Sequence, residues 1–197
     1  MTALRRSDLD PNPLRQLEHW RRDAAEAGVD TSLAALATAA PGGQPSARMV
    51  LVKGAEDGEL RFFTNYESRK AAELAANPLA ALLFHWPGRQ ARIEGAAERL
   101  SEAESDAYFD ARPPGSRLSA AVSPQSRPVA SRAELEEAVE RLREQYPDGA
   151  VPRPATWGGY RLVPHTYEFW QHDRHRMHDR VRYTSAAGAW TYERLGP

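Results

Sequence analysis

Leu14, Leu17 and Trp20 recur at helical spacing behind Asn12-Pro13, a side-chain acceptor followed by a residue with a preset helical dihedral, which predicts a first helix running to about Gly28. From Leu33 the pattern shortens to apolar runs broken by turn residues: LAALATA, PGGQ, SARMVLVKG, EDG and ELRFFTN. That pattern predicts an antiparallel meander. Ser68 is expected to open a short helix that Asn77-Pro78 closes, and LAALLFHW and RQARIEGAAERL flank Pro87-Gly88 as a hairpin. Capping boxes at Ser101/Glu104 and Ser131/Glu134 predict two more helices, with RPPGSRLSAAVSPQSRPV between them loop-like with about one helical turn. The tail WGGYRLVPHTYEFWQ, RVRYTS and AWTYERL alternates apolar and polar positions, with Ala186-Ala187-Gly188 as a turn. These elements describe a mainly β chain with flanking helices (α+β), a β-barrel carrying helices outside it. The expected organisation is one domain: residues 1–30 form an N-terminal helix packed on the barrel, and residues 31–197 form the barrel with its C-terminal region.

Composition narrows the function classes. A chain of 197 residues, 41% hydrophobic and 27% charged, has globular proportions. Its 26 Lys and Arg against 27 Asp and Glu leave a formal charge of −1, too balanced to hold nucleic acid or a membrane surface by its overall field. Cysteine is absent, which removes disulfides, thiolate metal sites and cysteine nucleophiles together. The start MTALRRSDLD lacks the apolar core of a signal peptide and no apolar run is long enough to span a bilayer, so a cytoplasmic location is expected. No GxSxG, Walker, GxGxxG or HExxH arrangement occurs.

The candidate chemistry lies in three places. Lys53 and Lys70 are the only lysines in an arginine-rich chain. Lys53 follows the strand Arg48-Met49-Val50-Leu51-Val52, on which Arg48 and Lys53 have opposite parity and face apart unless a bulge intervenes or the strand ends first. Arg69 and Lys70 sit at a helix start, where free N–H groups and positive charge suit an anion, although a solvated helix start gives the same pattern. Tyr108 and Arg112 lie four apart with Ser116 just beyond, a trio able to grip a second phosphate or to form an ordinary stacked surface pair. Gln171 to Arg180 is the densest polar run; if extended, Arg176, His178 and Arg180 line one face, suited to an anionic or electron-rich ring, or to a salt-bridged strand end through Asp173 and Asp179. Its histidines at 172, 175 and 178 lack the paired spacing of a zinc motif, and no metal is expected.

The ordered set RMVLVK, FFTNYESRKAAEL, RQARIEG, YFDARPPGS, SPQS, WGGYRL, EFWQ and RMHDR, with a C-terminal RLGP, resembles the pyridoxine (pyridoxamine) 5′-phosphate oxidase family. The resemblance covers almost the whole chain, and its collinear motifs are more specific together than any one alone. It implies an FMN-binding split β-barrel homodimer, with FMN at the subunit interface. It also implies that Arg48, Met49, Val50, Leu51, Val52, Lys53, Phe63, Thr64, Arg69, Lys70, Gln90, Gln125, Ser126, Trp170 and Arg180 contact FMN. Lys53, Tyr108, Arg112 and Ser116 would clamp a substrate phosphate, while Arg176, Met177 and His178 would face the pyridine ring, with Arg176 and His178 as the catalytic pair. The implied reaction oxidises pyridoxine or pyridoxamine 5′-phosphate to pyridoxal 5′-phosphate, with O2 as acceptor and H2O2 as product. A related flavin oxidase of a larger, dihydrophenazine-type aromatic is the alternative enzyme, and a non-catalytic flavin- or pyridoxal-phosphate-binding split barrel the alternative of another class. The sequence departs from the family's pattern in the strongly charged His172-Asp173-Arg174-His175 and in a shorter Trp86 to Arg89 hairpin.

Overall fold

The computed structural model of the protein describes residues 4–54, 59–186 and 188–197. The predicted turns at Glu56-Asp57-Gly58 and at Ala187 lie, wholly or in part, outside these residues. Strands β1 (Leu33–Ala39), β2 (Pro45–Leu51), β3 (Leu60–Asn65), β4 (Leu79–Trp86), β5 (Arg89–Arg99), β6 (Trp157–Gln171), β7 (Asp179–Ala186) and β8 (Ala189–Leu195) form one antiparallel sheet in the order β2-β1-β4-β5-β6-β7-β8, with β3 also on β6. Helices α1 (Pro13–Glu26), α2 (Arg69–Ala76), α3 (Glu102–Asp110), α4 (Pro114–Val122) and α5 (Arg132–Gln145) lie between them in sequence.

The long strand β6 organises the sheet. One of its edges pairs with β5 from end to end, and the other divides between β3, at Leu60↔Leu162 to Asn65↔Trp157, and β7, at Thr166↔Thr184 to Gln171↔Asp179. An isolated bridge Lys53↔Arg61 joins the end of β2 to β3, closing β2-β1-β4-β5-β6-β3 into a barrel while the β7–β8 hairpin extends from the divided edge. This is a split β-barrel. It corrects the simple meander expected from the sequence: among the described residues β3 pairs towards β2 only through that bridge and takes its ladder from β6, where Phe62 stacks on Tyr160 at 5.5 Å. The long strands need room where they bend. Register slips between Glu94 and Gly95, and a Cβ at Gly95 would fall 2.1 Å from the Val163 carbonyl oxygen, so only glycine fits this close approach.

The inward positions of the alternating strands supply the core: Ala34, Leu36, Leu82, Phe84, Ile93, Phe62 and Leu162 are all buried. Helix α1 begins with Asn12 Oδ1 accepting from the Leu14 N–H at 2.9 Å, and its Trp20 meets Phe169 of β6 edge-on at 5.1 Å. It ends at Glu26, slightly before the predicted end. Ser101/Glu104 forms the full capping box, whereas Ser131 caps α5 but the Glu134 carboxylate turns to the Ala130 N–H instead. The segment read as loop contains helix α4. Pro113-Pro114 marks its start rather than a break, because proline is tolerated at the first helical position, and Leu118 is its buried contact. Strand β2 is different from the other barrel strands, since none of its residues is fully buried and Met49 and Leu51 are 59% and 51% exposed.

Candidate active site

A cavity of about 600 Å³ opens at the rim of the barrel between β2, β3, α2 and the α3–α4 corner. Met49, Val50, Leu51 and Lys53 form one wall, Phe63, Thr64 and Asn65 of β3 a second, and Tyr108, Arg112, Ser116, Ser119 and Ala120 a third, with Lys70, Ser123, Gln125 and Trp157 completing it. Strand β2 ends at Leu51, so Lys53 is free of the strand's parity and reaches this cavity, while Arg48 turns to the other side. Val52 is 1% exposed in the core and can offer a ligand only its main chain.

Two features give the cavity its chemistry. The first is an aromatic stack: Phe63 lies on Tyr108 at 3.7 Å and 11°, and Trp157 extends the stack at 5.6 Å from Phe63. The Arg112 guanidinium sits 4.8 Å over the Trp157 ring. The second is charge. Lys53, Lys70 and Arg112 line the cavity, and among the described residues no carboxylate does. Among the described residues Lys70 Nζ donates only to neutral oxygens, Gln125 Oε1 at 2.7 Å, Thr64 Oγ1 at 3.0 Å and Ser68 Oγ at 3.4 Å. Burial and then the neighbouring Arg48 lower its pKa to about 8, against a smaller pull from Glu73. Burial likewise lowers Arg112 and raises the Tyr108 phenol, and Arg112 Nη1 is buried with no hydrogen-bond partner. Buried cationic donors facing neutral groups are costly unless an anion completes them.

The other predicted residues lie in two further places. Arg48 and Arg69 do not line the cavity; both bind Glu73, at 3.2 and 2.8 Å, and Glu73 also accepts from Thr38 and Ser46. The Ser68 side chain does not cap α2, its hydroxyl lying instead beside Lys70. Gln90, Trp170 and Arg180 stand side by side across β5, β6 and β7, with Arg180 donating to Glu168 at 2.8 Å. His178 joins this group, its ring 4.7 Å from that of Trp170. The segment 172–178 is a turn rather than an extended strand, so the expected shared face of Arg176, His178 and Arg180 does not form; Arg176 is left-handed at φ +63° and Met177 is exposed. Ser126 is also left-handed, at φ +71°, and these two are the only such non-glycine residues among those described. No three His, Cys, Asp or Glu among the described residues are placed to hold a metal ion, and His172 and His178 instead lie ring to ring at 5.3 Å.

Tyr108 and Arg112 both reach the cavity although α3 ends at Asp110, before Arg112. Sequence reasoning missed Asn65, Pro113, Ser119, Ala120, Ser123 and Trp157. A signal for the α4 wall was present: Ser116, Ser119, Ala120 and Ser123 follow the i, i+3, i+4, i+7 spacing of one helix face, hidden once the segment was read as loop.

The split barrel and its cationic cavity, which no carboxylate lines among the described residues, define a barrel protein with a site suited to an anionic ligand. The profile described as pyridoxamine 5′-phosphate oxidase matches residues 22–146, and that of the pyridoxine 5′-phosphate oxidase C-terminal dimerisation region matches residues 157–197. The chain belongs to the pyridoxamine 5′-phosphate oxidase family. Pyridoxine/pyridoxamine 5′-phosphate oxidase of Ralstonia pickettii (strain 12J) is 52% identical over 97% of this chain and 92% of its own length, and that of Rubrobacter xylanophilus 48% identical over 95% and 88%. Among solved structures, PhzG from Burkholderia lata 383 in complex with tetrahydrophenazine-1-carboxylic acid is 32% identical, with a TM-score of 0.91 over 99% of this chain and 98% of that one. A pyridoxamine 5′-phosphate oxidase-related, FMN binding protein from Nostoc punctiforme, 20% identical with a TM-score of 0.76 over 96% and 100%, shares the fold. The dimerisation-region match supports a homodimer, and among the described residues no helix is long and apolar enough to cross a membrane.

Proposed function

We propose that this protein is an FMN-dependent oxidase converting pyridoxine 5′-phosphate and pyridoxamine 5′-phosphate to pyridoxal 5′-phosphate, with O2 reduced to H2O2. The observation that carries the reading is the cavity lined by Lys53, Lys70 and Arg112, with no carboxylate in its lining among the described residues. Two phosphates must be held, one on the cofactor and one on the substrate, and the residues present fit both. Lys70 with Thr64, Gln125 and the left-handed Ser126 offers donors for the cofactor phosphate, and Arg48 and Arg69 would join them by turning from Glu73. The buried, unpartnered Nη1 of Arg112, with Tyr108, Ser116 and Lys53, offers a clamp for the substrate phosphate.

FMN, when bound, supplies the acceptor for the hydride leaving C4′ and the route by which O2 becomes H2O2. The chain's part is to fix distance and exclude water. Residues 48–53 would run along the flavin, and the clamp at one end of the substrate leaves C4′ a single approach. Gln90, Trp170, Arg180 and the segment carrying Arg176, Met177 and His178 do not line the cavity of their own chain. In a homodimer with FMN at the interface, this group from one protomer meets the cavity of the other, and the exposed Met49 and Leu51 of β2 would be covered there. Arg176 then holds the pyridine ring and offsets developing charge, with His178 donating beside it. The alcohol substrate yields the aldehyde directly; the amine substrate takes up water and releases ammonia.

The test is aerobic turnover of the FMN-loaded protein with each phosphorylated substrate, following aldehyde and H2O2 together, with unphosphorylated pyridoxine as control. Phosphate-dependent formation of both products supports the reading. A flavin-bound protein that leaves both substrates untouched overturns it, and larger reduced aromatics would be tried next, in view of the likeness to PhzG.

A further inference from the structure

The charged run His172-Asp173-Arg174-His175 is a departure that the cavity does not account for, and it sits where the chain turns from β6 to β7. The turn is anchored at its entry by the His172 N–H, which donates to the Gly88 carbonyl at 2.8 Å across the β4–β5 hairpin. Within the turn, Asp173 makes most of the bonds. Its Oδ1 accepts from the His175 N–H at 2.8 Å, its carbonyl oxygen accepts from the Arg176 N–H at 3.1 Å, and its own N–H donates to His178 Nδ1 at 3.1 Å. The amide of His175, and to a lesser degree that of Met177, hold the Asp173 carboxyl below its usual range.

The first bond closes the turn, and the other two reach residues of the proposed ring-facing set, Arg176 and His178. Arg176 is in the left-handed region at φ +63°, a conformation that is unfavourable for a non-glycine residue and persists only when its surroundings hold it. The Asp173 carbonyl accepts from the Arg176 N–H and so closes the turn that delivers the chain into that conformation. At His178 a main-chain N–H points at Nδ1, so that nitrogen must offer its lone pair. The neutral ring then carries its proton on Nε2 and presents a donor on the side away from the turn.

We infer that Asp173 is a positioning residue for the oxidation: it sets the left-handed backbone of Arg176 and the Nε2–H tautomer of His178, and its carboxylate holds the turn that makes both possible. The inference rests on the proposed function for the reaction it serves. Its geometric half is independent of that reading.

Two variants of the FMN-loaded dimer test it, Asp173→Ala and Asp173→Asn. The asparagine amide oxygen accepts the same His175 N–H, so D173N keeps the turn and D173A releases it. D173A should lower kcat for pyridoxamine 5′-phosphate about tenfold, with KM and flavin retention changed less than about twofold, because orientation rather than binding is lost. D173N should recover kcat to within about threefold of wild type. Hydrogen exchange across residues 172–178, read by mass spectrometry, should accelerate in D173A and stay near wild type in D173N. A D173A enzyme with wild-type kcat and exchange overturns the inference, as does a D173N enzyme as slow as D173A, which would make charge rather than geometry the cause. If the wild-type protein oxidises neither substrate, the oxidase reading fails instead, and the exchange comparison alone decides whether Asp173 holds the turn.

Discussion

Arg69 and Lys70 are neighbours in the first turn of one helix, yet they have opposite fates. Arg69 is 59% exposed and bonded to Glu73, in a cluster where Arg48, Thr38 and Ser46 also converge on that carboxylate. Lys70 turns the other way, into the cavity, and its hydrogen-bond partners among the described residues are neutral oxygens. What looked in the sequence like one anion site is two arrangements back to back: a cation set already neutralised within the chain, and one left for a ligand to neutralise. The same division recurs at a distance. Arg92 and Arg180 share Glu168, whereas Arg112 has a buried Nη1 with no hydrogen-bond partner among the described residues. A basic residue's sequence position does not say which kind it is; the presence or absence of a carboxylate within reach does.

Breaking the neutralised side should have the largest effect. Removing the Glu73 carboxylate strands Arg48 in a partly buried position, and Glu73→Ala should cost about 3 kcal/mol of folding stability, read by denaturant unfolding. A loss below about 1 kcal/mol would show the cluster to be an ordinary surface arrangement. Burial alone would raise the Glu73 pKa, but hydrogen bonds from Ser46, Thr38, Arg69 and Arg48 overcome it and bring it to about 2. The folded pKa therefore lies below the unfolded one. The stability it contributes is present above the unfolded value and is lost as pH falls from 4.5 towards about 2. Glu73→Gln should flatten that part of the stability profile.

On the ligand-neutralised side, Arg112→Ala should raise KM for phosphorylated substrates about thirtyfold to a hundredfold and change kcat much less, as loss of a charge-assisted bidentate donor would. An unchanged KM removes Arg112 from the clamp. Lys70 predicts a pH effect with a definite sign. Its pKa is lowered to about 8 in the folded chain, so cofactor phosphate affinity should weaken as pH rises through 8, by about tenfold once the charge is gone. Lys70→Arg stays protonated and should lose this inflection. Without bound anion the sign reverses for stability, which should rise between about 8 and 10.5 because the unfolded lysine holds its proton more tightly.

Local signals carried much of the fold into the sequence. Asn12-Pro13 starts α1, Ser101/Glu104 closes its capping box, and Pro87-Gly88 makes the tight β4–β5 turn. The pairing of β3 with β6 was not legible, since nothing in Leu60 to Asn65 distinguishes an adjacent partner from one close to a hundred residues away. The turn at 172–178 was open in the sequence for the opposite reason: an extended run would put Arg176, His178 and Arg180 on one face, and the Asp173 bonds that fold it back leave no mark in the periodicity. In the site, residue types were legible and directions were not. Tyr108, Arg112 and Ser116 converge, but Glu73, which decides where Arg48 and Arg69 point, carried no motif of its own.

The smallest expected effect discriminates most finely, because it separates the two partners of Glu73. Arg69 and Arg48 bind the same carboxylate, but Arg69 reaches it from solvent, where screening and side-chain entropy offset most of the attraction, while the more buried Arg48 also donates to the Leu36 carbonyl at 3.1 Å. Arg69→Ala should therefore cost less than about 1 kcal/mol in the cofactor-free protein, and Arg48→Ala about twice that or more. Equal losses would mean that the carboxylate, not its depth, sets the energetics. With FMN bound the order should tighten if Arg69 turns from Glu73 to flank the cofactor phosphate. A cofactor-dependent increase in the cost of Arg69→Ala, read as a difference in Tm between loaded and stripped protein, would show that the boundary between the two cation sets shifts when the ligand arrives.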